Sequence, residues 1–212
     1  MNDKGANAEV SVPLQRQTGL FARLLKKFLL TQVGKHLAFQ FGLRGFNRVG
    51  YQLIKFKGFD KDGNKIYAKP GLLNFVYNSR VNKGAALQAS LMSGSALGSI
   101  SSPLPPLYIA LSTASLTPAY GDTTLTSETV VAGIARALGT AQNYVSPGTT
   151  VDGAASYDVY KQFTLTGAGT TVVSTGLFDA ASTGNLFAEV NFGTSAVMAT
   201  NDILQVTWTV NI

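Results

Sequence analysis

Few side chains in this chain of 212 residues could do chemistry, and their spacing limits what that chemistry would be. The stretch DKDGNK, residues 60–65, alternates Asp60, Asp62 and Asn64 in the manner of a calcium loop. A full loop of that kind needs a bidentate Glu at its twelfth position and flanking helices. Position 71 is Gly71 and the flanks read as strands, so the stretch reads as a hairpin turn. His36 is the single histidine and cannot form a metal cluster alone. Beside Lys35, Leu37 and Phe39, just past an expected helix end, it reads as a capping or surface residue. The chain has no Cys, which excludes disulfides, thiolate catalysis and Cys-based zinc sites. The seven acids of residues 84–212 fall about one to a strand or turn, so their spacing suggests no carboxylate pair for glycoside hydrolysis. GAALQASLMSGSALGS, residues 84–99, lacks the Lys-Ser/Thr ending of a phosphate-binding loop. No nucleophile–base pair and no metal set can be assembled, so no catalytic, cofactor-binding or metal site is expected.

The elements that would hold such side chains divide the chain unevenly. Apolar residues make up 45% of it, enough for a real core, while charged residues are only 13%, about half the usual share. Residues 1–83 hold 15 of the 17 Lys and Arg against four acids, a net +11. Residues 84–212 hold Arg136 and Lys161 against seven acids, a net −5. Such a split implies two parts with different neighbours. No secretory signal and no membrane-spanning stretch is expected, because the first apolar run is broken by Lys26 and Lys27 and the uncharged stretch 84–121 holds eight Ser and four Pro.

Residues 1–17 read as a flexible or partner-ordered arm, and residues 18–106 as a basic anchoring region. Within the latter, about 18–33 reads as an amphipathic helix: Leu20, Phe21, Leu24 and Phe28 recur on one face, with Arg23, Lys26 and Lys27 on the other. That helix fits packing within an assembly or on its own chain, and also a membrane surface; packing is favoured. A hairpin is expected over about 51–69 and a small-residue linker over about 81–106, ending in PLPP at 103–106. Leu20, Phe21, Arg23, Leu24, Lys26, Lys27, Phe28, Lys35, Arg44 and Arg48 are the candidate assembly-contact residues. Aromatic residues interleaved with cations over 39–59 would also suit nucleic acid, though an acidic protein surface is favoured.

From Leu107 the pattern turns to β. LYIALST, VVAGIARALGT, YDVYKQFTLTG, TVVSTGLFD, NLFAEVNF and ILQVTWTVNI are strand candidates, separated by Gly, Asp, Ser, Thr and Asn clusters. In the last, Leu204, Val206, Trp208, Val210 and Ile212 alternate with Gln205, Thr207, Thr209 and Asn211, which means one dry and one polar face. The expectation is mainly β: an antiparallel β-sandwich, immunoglobulin-like or jelly-roll-like, over residues 107–212. Its expected core includes Leu177, Phe178, Leu186, Leu204, Val206, Trp208 and Val210. Asp179 and Asn185 stand where short polar side chains bond a turn backbone.

Four segments in order, YIALST, GDTTLTSE followed by Arg136, STGLFDAASTGNLFAEVNF, and the terminal DILQVTWTVNI, resemble a family of tailed-bacteriophage structural proteins with a GLFDA-type hairpin. The resemblance covers about residues 107–212, and it departs from the family pattern in having ASTGN where a double glycine is more usual. It implies a non-enzymatic virion protein of the head, neck or tail, made in the host bacterial cytoplasm; the long basic arm, suited to wedging between unlike subunits, favours the neck, collar or tail. Capsid decoration, a head fibre and a host-surface binding module are the alternatives. The implied partners are capsid, portal, neck or tail subunits and further copies of the chain, with nucleic acid not favoured, no stable membrane insertion and no cofactor.

Overall fold

The computed structural model describes residues 46–96, 100, 103–145 and 155–211, together with 28, 31, 33 and 34. The fold is mainly β. Among the described residues β1 (Phe46–Ile54), β2 (Phe56–Phe59), β3 (Lys65–Tyr67) and β4 (Asn74–Ser79) precede a helix, α1 (Asn82–Ser93). Then follow β5 (Tyr108–Ser112), β6 (Ala137–Leu138), β7 (Thr140–Val145), β8 (Ser156–Thr164), β9 (Thr170–Phe178), β10 (Leu186–Met198) and β11 (Ile203–Asn211). They build a five-stranded sheet in the order β4-β1-β11-β8-β7, a four-stranded sheet in the order β10-β9-β5-β6, and a separate hairpin β2-β3. All pairings are antiparallel.

Alternation explains why the two large sheets face each other. In β11 Leu204, Val206, Trp208 and Val210 are fully buried, and their neighbours in register, Val49 and Val159, are too. These join Ile109, Leu111, Val172, Leu177 and Val190 of the other sheet in one apolar cluster. Period-two side chains from two sheets thus meet in one layer. Trp208 lies at its centre, with Nε1 3.5 Å from Thr175 Oγ1 on the opposite sheet. Phe178 and Leu186 point the other way, into a second cluster with Val81, Ala110, Leu116 and Leu125, beneath the loop that follows β5.

The sandwich does not begin at Leu107. β1 lies between β4 and β11, in register with β11 from Asn47 opposite Val210 to Ile54 opposite Ile203. Tyr51 of β1 stacks on Phe192 of β10 at 4.1 Å, and its hydroxyl accepts a hydrogen bond from the Thr194 amide at 2.8 Å. The strands β1 and β4 of the expected anchoring region are therefore part of the sandwich. The expectation of a boundary at 107 is corrected, because β11 needs a partner on each edge to bury its backbone. The expected hairpin at about 51–69 is narrower, since residues 51–54 belong to β1 and only β2-β3 turn back on each other. Asp202 holds that hairpin to the body, accepting from Lys55 Nζ at 2.7 Å and the Phe56 amide at 2.8 Å.

Two further expectations are corrected. The small-residue linker contains α1, which buries Gly84, Leu87 and Ser90. A Cβ on Gly84 would lie 2.0 Å from the Phe187 carbonyl oxygen, so the missing side chain is what lets the helix lie on β10. The strand candidate at 130–140 is mostly turn, with β6 only two residues long. Gly133 has φ +87°, and a side chain there would meet the Thr164 carbonyl oxygen, so the segment turns under β8 instead of extending. The arm at 1–17 and the helix at about 18–33 lie outside the described residues, apart from isolated positions.

Candidate functional site

Three groupings of polar side chains stand out, each assembled by contacts distant in sequence. The first is built on the turn between β9 and β10. Asp179 accepts from the Asn185 amide at 2.6 Å and from Asn185 Nδ2 at 2.5 Å, which closes the turn. Arg136 binds Glu128 through two bonds, Nε to Oε1 at 2.8 Å and Nη2 to Oε2 at 2.5 Å. Its Nη1 donates to the Ala180 and Thr183 carbonyls at 3.2 and 3.1 Å, and its guanidinium lies 3.5 Å from the centre of the Phe178 ring. Four donor contacts of this arginine join one loop to one turn. The arrangement is structural.

The second grouping was not visible in the spacing of the acids. Glu189, buried on β10, is hydrogen-bonded to Asp122 of the loop that follows β5. Burial, and then the hydrogen bond and charge of Asp122, push the Glu189 carboxyl up to about 8. The two acids border a polar cavity of about 340 Å³ lined by Thr117, Thr123, Thr124 and Thr126. Residues 67 positions apart meet here because the loop is pinned to β10. That pinning comes from Asn191, which accepts from the Leu116 amide at 2.7 Å and donates to its carbonyl at 2.8 Å. Glu189 and Asp122 are hydrogen-bond partners, whereas glycosidase pairs stand about 5 Å or more apart with the sugar between them. The pair latches a loop. Among the described residues no three His, Cys, Asp or Glu side chains stand close enough to hold a metal ion.

The third grouping is a trench on the outward face of the five-stranded sheet. Residues alternate with the core positions, so Arg48 and Gly50 of β1, Phe75 of β4, Thr207 and Thr209 of β11, Asp158 of β8 and Gln142 of β7 share that face. Register puts them in two adjacent rows across the strands: Arg48, Thr209, Asp158 and Gln142 in one, Phe75, Gly50 and Thr207 in the next. With Leu73 they line a cavity of about 220 Å³. Arg48 Nη2 donates to Thr209 Oγ1 at 3.4 Å, and Thr209 Oγ1 donates to Asp158 Oδ1 at 2.7 Å. The Arg48 guanidinium also lies 4.9 Å from the centre of the Phe75 ring. Gly50 forms the floor: a Cβ there would approach Phe75 Cε1 to 3.1 Å and Leu73 Cδ1 to 3.5 Å.

An apolar groove of about 430 Å³ lies elsewhere, between α1 and the end of β8, with Leu91, Met92, Pro106, Tyr157 and Phe187 among its walls. Arg80 is buried beside it, over the Phe187 ring at 5.1 Å, with its pKa drawn down to about 10 by burial.

Of the candidate assembly-contact residues, Leu20, Phe21, Arg23, Leu24, Lys26, Lys27, Lys35 and Arg44 lie outside the described residues, as does His36. Phe28 is described and exposed, and Arg48 lies in the trench. In DKDGNK the Asp60 carboxylate is taken up by its own turn, accepting from the Asp62 and Asn64 amides at 2.9 and 2.8 Å. Those bonds, led by Asn64, hold its carboxyl below the usual value.

Residues 85–209 match the family described as podophage GP4 fiber I protein gp80, a span of more than half the chain. No curated protein and no solved structure matches the chain.

Proposed function

The chain belongs to the podophage GP4 fiber I protein gp80 family, and we propose that it is a non-enzymatic fibre component that displays its sandwich from the particle and is anchored through residues 1–45. It is a structural component of a phage virion, and virion proteins are its partners. The observation that carries the anchoring is the charge and apolar pattern of the segment before β1 in the sequence. Strands from Phe46 to Asn211 supply both sheets and their shared core. Residues 1–45 precede that body, with seven Lys and Arg against two acids and with the amphipathic pattern at 18–33. A basic, one-sided apolar segment is suited to an acidic or apolar surface on neighbouring subunits. Of the net +11 on residues 1–83, the part on residues 46–83 sits on the sandwich itself and is not available to the arm. We place the protein at the neck or tail and expect several copies together, with a fibre on the head as the competing position.

Complementation tests the anchor. Particles made with only residues 46–212 are purified and probed for the protein by blotting. Loss of the truncated chain from particles supports the anchor; incorporation at the normal level would overturn it and leave the sandwich carrying the contact. Immunogold labelling of intact particles reads the position, since labelling at one vertex fits neck or tail and even labelling of the shell contradicts it.

A further inference from the structure

We propose that the trench across the five-stranded sheet is a binding site for a linear, uncharged saccharide. A sugar ring presents an apolar C–H face and a rim of hydroxyls that both donate and accept hydrogen bonds. The trench offers the complement of each. At one end the Phe75 ring, 46% exposed, stands open for an apolar face. Along the next row the Arg48 guanidinium is a multiple donor and the Asp158 carboxylate a multiple acceptor, with Thr209 between them giving its one O–H to Asp158. Gly50 leaves the floor open where any side chain would press on Phe75.

Shape and charge exclude other ligands. The lining residues come from all five strands. At about 4.8 Å between strands the trench therefore runs about 19 Å, the reach of a short chain and not of one small molecule. The charges of Arg48 and Asp158 oppose each other in the same row, so no run of cations exists to follow a phosphate backbone. A free anion would meet the Asp158 carboxylate. A shallow cavity of about 220 Å³ binds weakly on its own. The inference concerns what the displayed sandwich touches, and it does not depend on how residues 1–45 attach.

The test is affinity electrophoresis of the full chain through native gels containing neutral polysaccharides, with dextran, mannan and barley β-glucan as probes and heparin as the polyanion control. At least one neutral polysaccharide retards the wild-type chain, and Gly50→Leu and Phe75→Ala each weaken that retardation about tenfold or more. Val130→Ser, on an exposed position away from this sheet face, leaves it unchanged. Thermal melts of each variant separate loss of binding from loss of fold, and Phe75→Ala, at a half-exposed ring, keeps the test readable where Gly50→Leu unfolds. Retardation by heparin alone, by none of the probes, or equally in folded Phe75→Ala would overturn the proposal. These readouts are independent of particle incorporation, so the failure of one reading does not entail failure of the other.

Discussion

The guanidinium of Arg136 lies 3.5 Å from the centre of the Phe178 ring, while its nitrogens bind Glu128 on one side and the Ala180 and Thr183 carbonyls on the other. One side chain therefore joins the loop after β5, the turn between β9 and β10, and the second apolar cluster. Arg136→Ala is expected to cost about 2–4 kcal/mol, because a nearly buried cation leaves Glu128 and two carbonyls unpaired. Arg136→Lys is expected to recover little, since an ammonium cannot both stack on the ring and bind the carboxylate in two places. Urea denaturation of the three proteins measures this, and a lysine variant as stable as the parent would show that charge alone suffices.

Trp208→Ala is expected to cost about 3–5 kcal/mol, as for an aromatic truncated in a closed core. Trp208→Phe keeps part of the packing but loses the contact with the Thr175 hydroxyl and leaves a void where the rest of the indole lay, so it is expected to cost less than the alanine variant. The melting temperatures of the two variants, taken side by side, give the comparison.

A fragment of residues 107–212 is expected to lack a cooperative thermal transition, whereas residues 46–212 melt as one unit. Without β1, the whole inner edge of β11 is unpaired and Phe192 loses Tyr51. Circular dichroism of both fragments decides it, and a sharp melt of the shorter one would mean that β1 is dispensable.

Stability is expected to carry a pH signature from Glu189. Its carboxyl ordinarily titrates near 4.5 and is raised to about 8 in the folded chain. The folded state therefore holds a proton that the unfolded state releases first. The contribution is fully present below the lower value and is lost as pH rises through the upper one. Glu189→Gln keeps a donor toward Asp122 without the titration. The melting-temperature difference between variant and parent should move in favour of the variant as pH rises from about 5 to about 9. A difference that stays flat over that range would show that Glu189 is ionised throughout.

Gly84→Leu is expected to displace α1 from β10, because the glycine Cβ position already overlaps the Phe187 carbonyl. Hydrogen exchange of the α1 amides would rise while that of β11 stayed slow, and unchanged α1 protection would show that the helix can be accommodated elsewhere.

The alternation of β11 is written in the chain itself: side chains point to opposite faces at every step, so Leu204, Val206, Trp208 and Val210 had to share a dry face wherever the strand was placed. The turn at Asp179 and Asn185 was equally legible, because the bonds that close it join residues six apart. The helix α1 left a fainter mark, with Gly84, Leu87 and Ser90 three apart, masked by small residues chosen for close approach instead of apolar bulk. The membership of β1 and β4 in the sandwich was hidden, since pairing Asn47 with Val210 joins positions 163 apart and no local pattern encodes the partner. The same holds for Asp122 with Glu189 and for the trench. Each side chain in those sites is unremarkable in its own segment. Only the order of strands in the sheet brings Arg48, Thr209, Asp158 and Gln142 into one row, because register is set by the burial of the opposite face, where Trp208 and its neighbours pack.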